Sequence, residues 1–230
     1  MDRRTLLLGT GAAVVAAGGV GAWATLGGQR MAEVGTTLIT PSAANAQTGD
    51  APVDTSRVIE MVQGNPDAAV TVMEFASFTC PHCANFHQGV YRQIKETYID
   101  PGLIRFVYRE VYFDAYGLWA ALVARCGGEM RYFGIVEMLY AEQSQWARGT
   151  DGGAVADSLR RIGRRAGMSD DEQNACLTDR DMAMAMMQVY QTGATEYGIR
   201  GTPSFVINGT TYSNMSFAEF QAILDPLLGR

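Results

Sequence analysis

The alternation of apolar and polar positions divides the chain into four stretches. Thr5 to Gln29 carries no charge and holds Leu6-Leu7-Leu8 followed by alanine, valine and glycine. Ser56 to Val62 then reads as a short strand, and Asn65-Pro66-Asp67 as a turn. Ala69 to Phe75 is almost continuously apolar, as suits a strand buried on both faces. A helix is predicted from the Cys80-Pro81-His82-Cys83 segment to about Tyr98, with Phe86, Val90 and Ile94 on one face, and Leu103 to Tyr108 is again strand-like. The period then becomes helical. It predicts helices at Ala115–Cys126, Met130–Glu142, Ala154–Arg165, Asp170–Leu177 and Asp179–Tyr197, with glycines at the breaks. Strand character returns at Ser204 to Ile207. Asn208-Gly209 is a two-residue hairpin turn, and Thr210 to Tyr212 is the return strand. Ser216 with Glu219 three residues on forms a capping box that opens a last helix.

Composition narrows the class. With 230 residues, 47% hydrophobic and 18% charged, the chain can bury one substantial core. Its net charge is −6, and residues 47–230 alone hold 15 positive and 22 negative side chains, net −7. An acidic body argues against nucleic acid as a partner, because such binding neutralises phosphates. Only His82 and His87 are available, so a Ser-His-Asp triad has almost no candidates.

Residues 1–46 read as an address. Arg3-Arg4 before the apolar run marks an export signal of twin-arginine type. Small-x-small cleavage sites stand at Ala22-Trp23-Ala24 and Ala44-Asn45-Ala46; the alternative is an uncleaved anchor followed by a flexible stem. Both put the body, residues 47–230, outside the cytoplasm, in the periplasm.

Cys80-Pro81-His82-Cys83 carries the chemistry. It lies where a buried strand gives way to a helix, so Cys80 stands at the helix N-terminus, where unpaired N–H groups favour a thiolate. Pro81 suits the first helical position, and Cys83 is within disulfide reach one turn on. A protonated His82 adds to the attraction on the Cys80 anion. A stabilised reduced form makes the disulfide easy to give away, so the pair is expected to oxidise substrates. A c-type haem is excluded because Ala84, not histidine, follows Cys83. A zinc site lacks further ligands at matching spacing, with His87 one turn beyond Cys83 and Cys126 and Cys176 isolated. No metal or separate cofactor is expected. An inert structural disulfide is the remaining alternative.

Phe75-Ala76-Ser77-Phe78-Thr79-Cys80-Pro81-His82-Cys83 resembles the active-site segment of the DsbA-type thiol:disulfide oxidoreductases, and Gly201-Thr202-Pro203 before the strand Ser204–Ile207 resembles their cis-proline loop. The resemblance covers roughly residues 55–228. It implies a thioredoxin-like α/β fold: a central mixed β-sheet interrupted by a helical insertion over about 114–197. It makes Cys80 the nucleophile, Cys83 the buried resolving thiol and Pro203 the cis-proline facing the pair. The Thr202 backbone would be free to pair with an extended substrate. Glu74 matches an acidic residue beneath the site that relays the Cys83 proton. Phe75, Phe78 and Tyr112 are expected to line an apolar substrate surface. Cys126 and Cys176 match the place of a second disulfide in some members, with two buried free thiols as the alternative. His87 stands where oxidases often carry an acid, and is expected on a solvated helix face. The implied partners are unfolded exported proteins and a quinone-linked membrane reoxidase of DsbB type, with the chain itself a monomer. Thr202 before the proline also occurs in the isomerase branch, so isomerase and pathway-specific reductase remain enzyme alternatives. A metal-binding or chaperone-like module is the alternative from another class.

Overall fold

The computed structural model describes residues 52–149 and 151–230; residues 1–46, read from the sequence as an export signal or anchor, lie outside the described residues. Five strands form one mixed sheet in the order β1-β3-β2-β4-β5. They are β1 (Met61–Gly64), β2 (Thr71–Ala76), β3 (Arg105–Glu110), β4 (Ser204–Ile207) and β5 (Thr210–Ser213). β2 runs parallel to β3, and the other three pairings are antiparallel. The α/β class with a thioredoxin-like arrangement is therefore present.

β2 occupies the centre, which explains its apolar run: Val72, Phe75 and Ala76 are buried. Alternation puts Val72, Glu74 and Ala76 on one face and Met73 and Phe75 on the other. Glu74 pairs in register with Tyr108 of β3 and Phe205 of β4, so it projects from the middle of the sheet. The face bearing Val72 is covered by α1 (Pro81–Gln88), α2 (Val90–Ile94) and the C-terminal α9 (Phe217–Leu227), through Phe86, Ile94, Phe220 and Leu224. The opposite face carries a smaller cluster of Phe75, Val111 and Val206.

Between β3 and β4 the chain builds a helical block: α3 (Ala115–Cys126), α4 (Glu129–Ala141), α5 (Gln143–Trp146), α6 (Gly152–Arg165), α7 (Asp170–Leu177) and α8 (Arg180–Glu196). Its core includes Leu118, Tyr132, Leu139, Trp146 and Leu159, and it is continuous with Phe78 and Cys83 of the sheet domain. Asp114, Asp151, Ser169 and Asp179 cap α3, α6, α7 and α8 by accepting backbone N–H bonds. Among the described residues no helix is long and apolar enough to cross a membrane.

Two expectations need correction. The first strand is not Ser56–Val62 but Met61–Gly64, because sheet pairing starts at Met61 opposite Tyr108 while Val58 is still held in a turn by Thr55. The helix predicted to run unbroken to Tyr98 is interrupted at Gly89 (φ −123°, ψ −87°) and ends in a π-helical turn over Lys95–Ile99. α5 was not visible in the sequence, since four residues of mixed polarity show no period. The closing hairpin follows the reading: Asn208 and Gly209 both take positive φ, 44° and 86°. The Ser216–Glu219 capping box is formed.

Candidate active site

Cys80 is the N-cap of α1, with extended backbone (φ −80°, ψ 119°), and Pro81 takes the first helical position. This follows from the local sequence: the strand ends at Ala76, and proline, without an N–H, starts a helix at no cost in hydrogen bonds. Cys80 is half-buried and Cys83 is fully buried, and both are free thiols in this structure.

The two sulfurs sit in opposite electrostatic conditions. The Cys80 thiol is drawn down from its ordinary 9.0 to about 5. The main cause is a hydrogen bond from Cys83; Thr202 and the backbone N–H groups of Cys83 and His82 add to it against the opposing effect of burial. Cys83 is pushed strongly up, first by burial, then by its bond to Cys80 and by the negative charge of Glu74 nearby. One sulfur is thus an anion at neutral pH while its neighbour keeps its proton. His82 helps through its backbone; its side chain is exposed.

The Thr202-Pro203 peptide is cis. Beside it the Thr202 carbonyl oxygen lies 3.4 Å from Cys80 Sγ, a hydrogen bond the sulfur donates only while it is protonated. Pro203 itself is buried, and β4 begins at the next residue.

Beneath the cysteines, Glu74 is wholly buried and its two carboxyl oxygens each lie 3.0 Å from His87 Nε2. The imidazole is stacked on Tyr140 (ring centroids 4.2 Å apart) and packs against the tilted ring of Tyr91 (4.4 Å). The expectation of a solvated His87 is therefore overturned: it is 5% exposed, because α1 turns that face onto Glu74. A buried carboxyl on the central strand needs a hydrogen-bond partner, and His87 supplies it. The pairing signal in the sequence was the coincidence of one acid in an apolar strand with one histidine on the helix that covers it. His87 Nδ1 has no partner among the described residues, and the imidazole lines a groove of about 400 Å³ between α1–α2 and α4.

The aromatic substrate surface also needs correction. Phe75, Phe78 and Tyr112 are 1%, 1% and 7% exposed, so their rings are core and not surface. Phe78 packs on Tyr108 and Tyr140, centroids 5.7 and 5.3 Å away. Three residues that sequence reasoning missed hold the segment from the helical block. Asp114 accepts from Thr79 Oγ1 at 2.7 Å, Tyr140 donates to the Ser77 carbonyl at 3.3 Å, and Gln143 donates to the carbonyls of Phe78 and Cys80. No local pattern pointed to them, since each acts across tens of residues.

Cys126 and Cys176 are joined by a disulfide, Cα atoms 5.9 Å apart, tying α3 to α7. Among the described residues no three His, Cys, Asp or Glu side chains converge as a metal site. His87, the one histidine a turn beyond Cys83, is committed to Glu74.

A family profile described as Thioredoxin matches residues 56–226. A Rickettsia bellii protein named as a protein-disulfide oxidoreductase is 30% identical over 167 residues, covering 72% of this chain and 63% of its own length. A Rickettsia conorii counterpart is 32% identical over 170 residues, 74% of this chain and 60% of its own. The chain thus spans about six-tenths of the length of these curated relatives. The crystal structure of Wolbachia pipientis alpha-DsbA1 aligns with a TM-score of 0.69 and 26% identity over 74% of this chain and 91% of that one. BdbD from Bacillus subtilis, at 20% identity and a TM-score of 0.66, shares the fold over 74% of this chain and 94% of its own. With the profile spanning nearly all of the described residues, this chain belongs to the thioredoxin family, and in sequence and architecture it resembles the DsbA-type members.

Proposed function

We propose that the protein is an exported thiol:disulfide oxidoreductase that donates its Cys80–Cys83 disulfide to folding secreted proteins. The observation that carries the reading is the geometry of the pair: Cys80 at the N-terminus of α1, Cys83 buried one turn on and the cis Thr202-Pro203 peptide beside Cys80, an arrangement that lowers the Cys80 thiol to about 5. A thiolate that comfortable makes the dithiol form favourable, so the disulfide is a strong oxidant. DsbA is the known instance of this relation: its stabilised reduced form makes it a strong oxidant.

In the forward reaction a substrate thiolate attacks Cys80 Sγ of the oxidised pair. The Cys80–Cys83 bond breaks, a mixed disulfide forms, and Cys83 leaves and takes a proton. A second substrate thiolate then attacks the substrate sulfur of the mixed disulfide. Cys80 departs as a stable thiolate, so two electrons have passed from substrate to enzyme. In this reading the relay of that proton is assigned to Glu74, whose charge acts on Cys83 and whose carboxyl is held by His87. The extended substrate would pair with the backbone of Thr202, whose carbonyl already meets the reacting sulfur. The redox-active disulfide needs no separate cofactor. Reoxidation falls to a quinone-linked membrane partner of DsbB type, and the chain works as a periplasmic monomer, released or anchored by its first 46 residues.

The test is the reduction potential in glutathione buffers together with the Cys80 ionisation midpoint. A potential far more oxidising than that of thioredoxin, about −270 mV, is expected. A value close to thioredoxin's overturns the oxidase reading in favour of the reductase. Thr202 before the cis-proline is the observation that keeps an isomerase as the second reading. Rearrangement of a scrambled disulfide substrate by the reduced enzyme, faster than oxidation of a reduced one, would select it.

A further inference from the structure

We propose that Gln143, contributed by the helical block, is a positioning residue for Cys80. Its side-chain Nε2 donates to two carbonyl oxygens, Phe78 at 2.7 Å and Cys80 at 2.9 Å. These two carbonyls bracket the Thr79-Cys80 dipeptide. Gln143 is 8% exposed, on the four-residue helix α5. Among the described residues its side-chain amide is the donor that meets the Phe78 oxygen; the Cys80 oxygen also accepts the Ala84 N–H at 3.2 Å.

The physical link runs through one torsion. The direction of the Cys80 carbonyl fixes ψ of Cys80, held at 119°. That extended N-cap conformation is what lets a side chain fold back over the first turn toward the free N–H groups of the helix. Cys80 makes no side-chain cap hydrogen bond in this structure, and the His82 and Cys83 backbone groups are the ones that help to lower its thiol. A second effect is electrostatic. Carbonyl oxygens carry partial negative charge and repel a thiolate; a shared amide donor offsets that charge on both. Thr79, whose hydroxyl donates to Asp114 at 2.7 Å, adds a second tie from the helical block to the same dipeptide. The helical block is thereby part of the reacting centre and not merely a cover over it.

This rests on the reading of Cys80 as the sulfur that forms the mixed disulfide with substrate and leaves as a thiolate. The experiment compares Gln143→Leu and Gln143→Asn with the unaltered protein and with Gln145→Ala, an exposed neighbour on the same helix. Two quantities are read: the Cys80 midpoint from thiolate absorbance, and the equilibrium constant with glutathione. We expect Gln143→Leu to raise the midpoint and shift the equilibrium about fivefold toward the disulfide, the scale of one hydrogen bond between an amide and a carbonyl. Gln143→Asn, one methylene short, falls between, and Gln145→Ala changes nothing. If Gln143 only supports the fold, the oxidised and reduced forms lose thermal stability equally and both quantities stay within about twofold; that result overturns the proposal. Should the variants fail to fold, the side-chain amide resonance of Gln143 in the unaltered protein is followed against pH. It should titrate at the Cys80 midpoint, and a flat response refutes the assignment. A thioredoxin-like potential of the unaltered protein would overturn the oxidase reading alone, since the Gln143 effect is a difference between variants.

Discussion

At the scale of single residues, the chemistry depends on one proton being lost and its neighbour being kept. Cys80 falls to about 5 while burial drives Cys83 up. The potential should therefore depend on pH with a break. Above about pH 5 the reduced pair holds one proton per two electrons and the slope is about 30 mV per pH unit; below it both thiols are protonated and the slope is about 59 mV. A single slope of about 59 mV through neutral pH would contradict a stable thiolate. The sign for stability follows from the same shift. Because the folded value lies below the ordinary 9.0, the reduced protein gains stability as pH rises from about 5 to 9 and loses it as pH falls through that range toward 5. Chemical denaturation of the reduced form across that window reads it directly. His87→Ala leaves the buried Glu74 carboxyl without its hydrogen-bond partner. It should cost about 1–3 kcal/mol in the same assay; a variant as stable as the parent would show that water or Tyr108 takes over.

At the scale of elements, caps and turns were readable because they are local. Ser216 and Glu219 meet three residues apart, and their reciprocal bonds need nothing else in the molecule. Ser216→Ala should lower stability by about 1 kcal/mol while leaving the Cys80 midpoint where it is; a shift of that midpoint would mean α9 couples to the site. Helix limits such as Ala115–Cys126 and Asp170–Leu177 match the apolar period. The breaks that geometry imposes were less visible. Gly89 sits inside a continuous helical pattern, yet it breaks the helix, and Phe86 before it and Tyr91 after it join the same core cluster. α5 is too short to show a period, yet it carries the residue that grips the active-site carbonyls.

At the scale of the whole molecule, the sheet domain and the helical block share one apolar cluster, so neither is closed without the other. The Cys126–Cys176 bridge spans 50 residues within that block. Closing a loop of that length stabilises by up to about 4 kcal/mol in the chain-entropy model. Replacing both cysteines by alanine should lower the unfolding midpoint by a corresponding amount; an unchanged midpoint would show that the bridge constrains little in the unfolded chain.

The amino-acid sequence alone determined which cysteine pair is the candidate site and, α5 apart, in what order the elements come. The Cys-Pro-His-Cys run, the Thr-Pro before a strand and the hairpin Asn-Gly are all short-range patterns, set by backbone preferences that act within a few residues. Tertiary structure alone decided exposure and partnership. It turned His87 inward onto Glu74, withdrew Phe75, Phe78 and Tyr112 from the surface, and carried Gln143 to carbonyls more than sixty residues away. Those outcomes depend on which faces are covered when sheet and helices pack, and such contacts between residues distant in the chain leave no mark in local composition or period.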